Sequence, residues 1–141
     1  MSKHNDGLAM LARFMTAMEQ PLSQGWDDTE GVYLGSKLIL EETKELFEAI
    51  DAYLDDPSSP EHRSNFVKEL ADLIYVCYWL AARLGIDINE ALRLVHESNM
   101  SKLDPETGKP LKRADGKVLK GPAYHAPDLG HVVRSVPVTL N

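Results

Sequence analysis

Residues 69–82 read Glu69-Leu70-Ala71-Asp72-Leu73-Ile74-Tyr75-Val76-Cys77-Tyr78-Trp79-Leu80-Ala81-Ala82. From Leu73 to Ala82 the run is apolar on nearly every side of a helix, which marks a helix buried all round. It is far shorter than the roughly 20 residues needed to cross a bilayer. This segment is therefore read as the central rod of a helical bundle. The stripe holding Glu69 and Asp72, three residues apart, continues into Val76, Trp79 and Leu80, so two acids point where the core points.

Punctuation around the rod defines the other helices. Ser59 caps the rod with Pro60 at its first position, and Gly85 closes it after Leu84. Upstream, a helix is expected over about Val32–Leu54, broken by Asp55-Asp56-Pro57-Ser58. A first helix is expected over about Asp6–Gln20, with Leu8, Leu11, Met15 and Met18 on one face and Pro21 and Gly25 in the following loop. Asp87 with Glu90 reads as a capping box for a fourth helix ending near Lys102. Beyond it, Pro and Gly recur between Pro105 and Gly130, and Asp115-Gly116 signals a hairpin. The expected fold class is all-α: a four-helix bundle over about 6–102, then a basic hairpin and extended arm over about 103–141, as one domain of 1–141. Four short helices barely surround the rod, so a homo-oligomer, dimer or tetramer, is expected to complete the bundle. Cys77 and the methionines read as core.

A second acidic group precedes the rod: Glu41-Glu42-Thr43-Lys44-Glu45. Glu41 and Glu45 share a helix face and Glu42 sits at its edge. Unpaired carboxylates inside a core stripe cost several kcal/mol, on the order of the penalty for burying charge. A divalent cation is the simplest compensation, and oxygen-only ligands suit magnesium, with manganese as a substitute. Blandly read, Glu41, Glu42, Glu45 and Glu48 form a solvated face paired in part with Lys37 and Lys44. A ferritin-like di-iron site needs Glu-x-x-His on two helices. The residues three before His62 and His96 are Ser59 and Arg93, so that motif is absent.

The chain has 141 residues, one cysteine and a net charge of −7. A disulfide scaffold and a thiolate zinc site are excluded. With no signal-peptide pattern, a cytoplasmic protein without membrane attachment is expected. The charge is uneven: residues 1–100 hold 8 Lys/Arg against 18 Asp/Glu, and residues 101–141 hold 7 against 4. The acidic body opposes binding to nucleic acid polymer, while the basic tail offers amines to a smaller polyanion.

These motifs resemble the MazG-like all-α nucleoside triphosphate pyrophosphohydrolases, whose E-E-x-x-E and E-x-x-D correspond to Glu41-Glu42-Thr43-Lys44-Glu45 and Glu69-Leu70-Ala71-Asp72. Val95-His96-Glu97-Ser98-Asn99-Met100-Ser101-Lys102, Arg113-Ala114-Asp115-Gly116-Lys117-Val118-Leu119-Lys120 and Pro127-Asp128 resemble a subgroup containing bacterial dUTP pyrophosphatases and phage enzymes acting on deoxynucleotides. Phosphoribosyl-ATP pyrophosphohydrolases of histidine synthesis share the helical acids but usually lack the basic arm, which sets them second. If phage-encoded, the protein would act in the host cytoplasm. The resemblance implies hydrolysis of a (deoxy)nucleoside triphosphate to monophosphate and pyrophosphate, with dUTP, dGTP or dATP as candidates. It implies metal ligation by Glu41, Glu42, Glu45, Glu69 and Asp72, with Glu42, or else Glu41, activating water. Lys102, Lys117, Lys120 and Arg113 become candidates for the outer phosphates. Asn99 either contacts sugar or base or ends helix four. Trp26 either stacks on a base or covers the core, and core cover is favoured. The rival reading is a non-catalytic helical scaffold.

Overall fold

The computed structural model describes residues 6–140 and is all-helical among them: α1 Gly7–Ala17, α2 Thr29–Asp55, α3 Pro60–Leu84, α4 Ile88–Met100 and α5 Gly130–Arg134. The chain divides into two compact units, one of residues up to 86 with 136 onward, the other of residues 87–135. No helix is long and apolar enough to cross a membrane among the described residues.

In the first unit α2 and α1 both pack on α3. The two ends of α3 carry their expected devices. Ser59 accepts from His62 N at 3.2 Å, Pro60 takes the first turn, and Gly85 adopts φ 79, the left-handed conformation that favours glycine. α2 begins at Thr29, earlier than hydrophobic periodicity suggested, because Asp28 caps it by accepting from Gly31 N at 3.0 Å. α1 stops at Ala17 and not near Gln20, since Glu19 turns to φ 56 and Gln20 N bonds back to Met15 O. The Pro21–Gly25 loop then folds along the end of α3. Ser23, Gln24 and Gly25 donate backbone N–H to the carbonyls of Ala82, Arg83 and Leu84 at 2.8–3.0 Å. Those carbonyls would otherwise be orphaned at a helix C-terminus.

The core joins Leu8, Leu11, Ala12 and Met15 to Leu46, Ala49, Trp79, Ala81, Ala82 and Leu84. Gly35 lets α2 and α3 approach closely: a Cβ there would lie 2.7 Å from Leu80 Cδ1. The rod itself is not covered all round. Ile74 is 52% exposed, and Tyr75 and Cys77 are exposed as well. Two flanking helices cover only part of a cylinder, so the expectation that Cys77 and every methionine would be core is corrected. Met15 is buried, whereas Met10, Met18 and Met100 are exposed.

In the second unit Asp87 caps α4 through Glu90 N at 3.2 Å. The reciprocal half of the capping box does not form, because the Glu90 carboxylate is taken by Arg93 and by His131 of α5. The expected hairpin is a tight turn with one antiparallel bridge, Lys112 to Val118, closed by Arg113 N to Lys117 O at 2.8 Å. The arm is not extended throughout. It is tied to the end of α4 by Ser98 Oγ donating to His125 O at 2.7 Å, and it then coils into α5.

Candidate active site

The α2–α3 pairing decides which acids meet. One carboxylate oxygen from each of Glu42, Glu69 and Asp72 lies within 4.8 Å of the other two. Glu69 is buried at 8% exposure, and Glu42 and Asp72 are partly buried. Glu45 lies against Glu42 and, like Asp72 and Glu69, opposes its ionisation. Burial is the larger cause, and together these hold the Glu42 carboxyl above the usual glutamate value. Glu41 is exposed and falls outside the group of three. Of the acids on α2, Glu42 is thus the one turned most directly to α3, although the sequence periodicity alone puts it at the edge of the stripe. Lys37 sits 4.4 Å over the Tyr33 ring.

Two oxygens of the cluster, Glu42 Oε2 and Glu69 Oε2, are buried with no hydrogen-bond partner. An orphaned buried carboxylate oxygen is costly, and two within one acid cluster fit a small hard cation. Magnesium–oxygen bonds of about 2.1 Å place opposite ligands about 4.2 Å apart, which falls within the 4.8 Å that bounds the cluster. One cation is already near. Lys68 Nζ lies 3.1 Å from Glu69 Oε1 and 2.7 Å from Asp72 Oδ2. Sequence reading passed over Lys68. The available signal is its place one residue before Glu69 and one helical turn before Asp72.

Trp26 is 48% exposed in the loop before α2, so it does not cover the core. That role belongs to Trp79, whose Nε1 donates to Gln20 Oε1 at 2.9 Å. In the second unit Asn99 is exposed near the end of α4, and its carbonyl accepts from Lys102 N. Lys102, Lys117 and Lys120 line one concavity of about 560 Å³ with Val118 and Leu119. Lys120 lies 4.7 Å over the Tyr124 ring. Arg113 is paired with Asp115 at 2.5 Å.

The sequence model of the phosphoribosyl-ATP pyrophosphohydrolase family matches residues 11–99. The chain belongs to this family. The family lies within the MazG-like all-α nucleoside triphosphate pyrophosphohydrolase superfamily, in keeping with the all-helical fold. Membership supports an enzyme acting on nucleotide anhydrides, and enzymes of this family are typically dependent on a divalent metal. All five acids lie inside the matched range, while Lys102, Arg113, Lys117 and Lys120 lie beyond it. The match also changes an order of preference. The phosphoribosyl-ATP enzymes, set second on sequence resemblance, stand at least level with the deoxynucleotide subgroup. No curated protein matches the chain.

Proposed function

We propose that the protein hydrolyses a nucleotide bearing a triphosphate to the corresponding monophosphate and pyrophosphate, with magnesium or manganese held by Glu69 and Asp72 together with Glu42 and Glu45. The observation that carries this reading is the pair of orphaned buried oxygens, Glu42 Oε2 and Glu69 Oε2, within an acid cluster. A bound divalent ion would neutralise charge on the phosphates and on the departing pyrophosphate. Glu42 takes the proton from the attacking water at a carboxylate oxygen. Its raised proton affinity brings it closer to the range in which a general base works well. Exposed Glu41 is the weaker candidate for that proton. Water adds to the α-phosphorus and the α–β anhydride bond breaks. Within the second unit, Lys102, Lys117 and Lys120 offer a cluster of ammonium groups to phosphate oxygens. Arg113, engaged by Asp115, is less available; Asn99 and Trp26 are exposed, each in its own unit.

Two substrate classes carry the required triphosphate. Family membership favours phosphoribosyl-ATP; the Asp115-Gly116-Lys117 arm favours a deoxynucleotide such as dUTP, dGTP or dATP. Purified protein with magnesium, offered phosphoribosyl-ATP and a panel of dNTPs and NTPs, is expected to release pyrophosphate from at least one of them. Release from none, by a folded protein, removes the enzyme reading and leaves the scaffold alternative.

Assembly is part of the same reading. Tyr33, Leu40, Phe47 and Leu54 recur every seventh residue of α2, and all are exposed, Leu40 at 71%. An apolar seam of this period suits packing against another helix. The protein is therefore expected to form a homodimer or homotetramer, and Phe47→Lys to shift it toward monomer. A monodisperse wild-type monomer by light scattering at micromolar concentration would remove this part of the reading.

A further inference from the structure

Lys68 donates from Nζ to Glu69 Oε1 and to Asp72 Oδ2. Both acids lie on its own helix, one residue and four residues on, so no other element has to move for the contacts to form or break. The lysine side chain is 63% exposed, against 10% for that of Glu69. The ammonium therefore reaches down from solvent onto one acid that is largely withdrawn from it, Glu69, and onto Asp72, whose side chain is 38% exposed. One ammonium cannot serve the whole cluster: Glu42 Oε2 and Glu69 Oε2 are left buried without a partner.

The geometry points to Lys68 as an internal counter-ion, which steadies the acid cluster in the metal-free protein and swings into water when a divalent ion takes the same carboxylates. The inference rests on the metal reading above. An ammonium and a divalent ion held on the same two carboxylates repel each other, and the ammonium has the easier exit, being strongly hydrated on a flexible stem. The exchange makes ion binding weaker than the acids alone would give, and it lets the protein stand folded without the ion.

The test compares wild type with Lys68→Met, which keeps the apolar stem and removes the charge. Mn²⁺ binding is followed by calorimetry at low salt, and thermal unfolding is recorded with chelator and with saturating Mn²⁺. On the scale of exposed ion pairs, Lys68→Met is expected to bind Mn²⁺ about two- to fivefold more tightly. It is expected to melt below wild type in chelator, with the gap closing or reversing in Mn²⁺. Unchanged Mn²⁺ affinity, or the same melting gap in both conditions, overturns the inference. Weaker binding overturns it too and makes Lys68 a group that orients the ligands. Failure of both proteins to bind Mn²⁺ removes the metal reading and this inference together, whereas equal binding removes the inference alone.

Discussion

Glu69→Gln is expected to lower pyrophosphate release by about a thousandfold, the upper scale for loss of a preorganised electrostatic partner, while raising the melting temperature of the metal-free protein. The two effects have one cause. Glu69 is buried, faces Glu42 and Asp72, and has one oxygen with no partner. Crowded acids of this kind lower stability when no cation is bound, since like charges and buried unpaired oxygens both cost free energy. An amide of nearly the same shape removes the charge and leaves packing in place. It also turns the ion pair with Lys68 into a hydrogen bond to a neutral amide oxygen, but that lysine is exposed, and exposed pairs contribute little. The pH dependence follows from Glu42. Its carboxyl is held above the usual 4.5 by burial and by the neighbouring acids, so the native state binds its proton more tightly than the unfolded state does. The stability this gives is full below the unfolded value and is lost as pH rises through the native value. In Glu69→Gln one of the neighbouring charges is gone, so that loss is expected to be shallower. Pyrophosphate assays and melting curves in chelator at several pH values check the prediction. Activity within tenfold of wild type would show that the chemistry lies elsewhere. Asp72→Ala and Glu45→Ala belong to the same class and are expected to bind Mn²⁺ weakly while remaining folded.

What sequence reading recovers here is what short-range chemistry encodes. Ser59-Pro60 and Gly85 mark the ends of α3 because capping depends on neighbours within one turn. The acids of α2 and α3 announce themselves by spacing. Spacing gives relative angles on one helix, but it does not say on which side the next helix lies. Hence Glu42, with Glu41 left exposed, became visible as the acid facing α3 only once Gly35 had brought the two helices together. The same limit applies to the two tryptophans, since only tertiary packing separates exposed Trp26 from buried Trp79. α5 escaped notice because Gly-His-Val-Val-Arg is too short for periodicity and its N-cap, Leu129, makes no side-chain cap bond. The capping box of α4 half failed for a longer-range reason: His131, forty-one residues on, takes an oxygen of Glu90.

Asp28→Ala is expected to be the most destabilising of the substitutions considered, by about 3 kcal/mol, the lower end for removing one partner of a buried ion pair. Asp28 does two things at once. It accepts from Gly31 N as the cap of α2, and it accepts from Arg83 Nε at 2.5 Å and Nη2 at 3.3 Å near the end of α3. Both side chains are only 13% exposed. Without the carboxylate, the Arg83 guanidinium is left uncompensated against the Trp79 ring, 5.9 Å away. A domain of this size is expected to lose about 10 °C in melting temperature for such a change. Asp28→Asn keeps a capping oxygen and loses the charge, so it is expected to fall between wild type and Asp28→Ala. In the double variant Asp28→Ala, Arg83→Met the stranded charge is gone, and part of the stability should return. The hydrogen bond from Arg83, first among the causes, holds the Asp28 carboxyl below its usual 3.8. The stability it contributes is therefore present above that value and lost as pH falls through the native one. Denaturant unfolding at neutral pH and near pH 3 measures both effects. A loss under 1 kcal/mol for Asp28→Ala, or a gap that does not shrink in acid, would rule the pair out as the clamp between the start of α2 and the end of α3. Asp28 precedes Glu42 by fourteen residues, about 21 Å of helix, so it touches nothing in the acid cluster. At temperatures well below melting, Asp28→Ala should keep the affinity for Mn²⁺ that Asp72→Ala loses, and this separates the clamp from the site it supports.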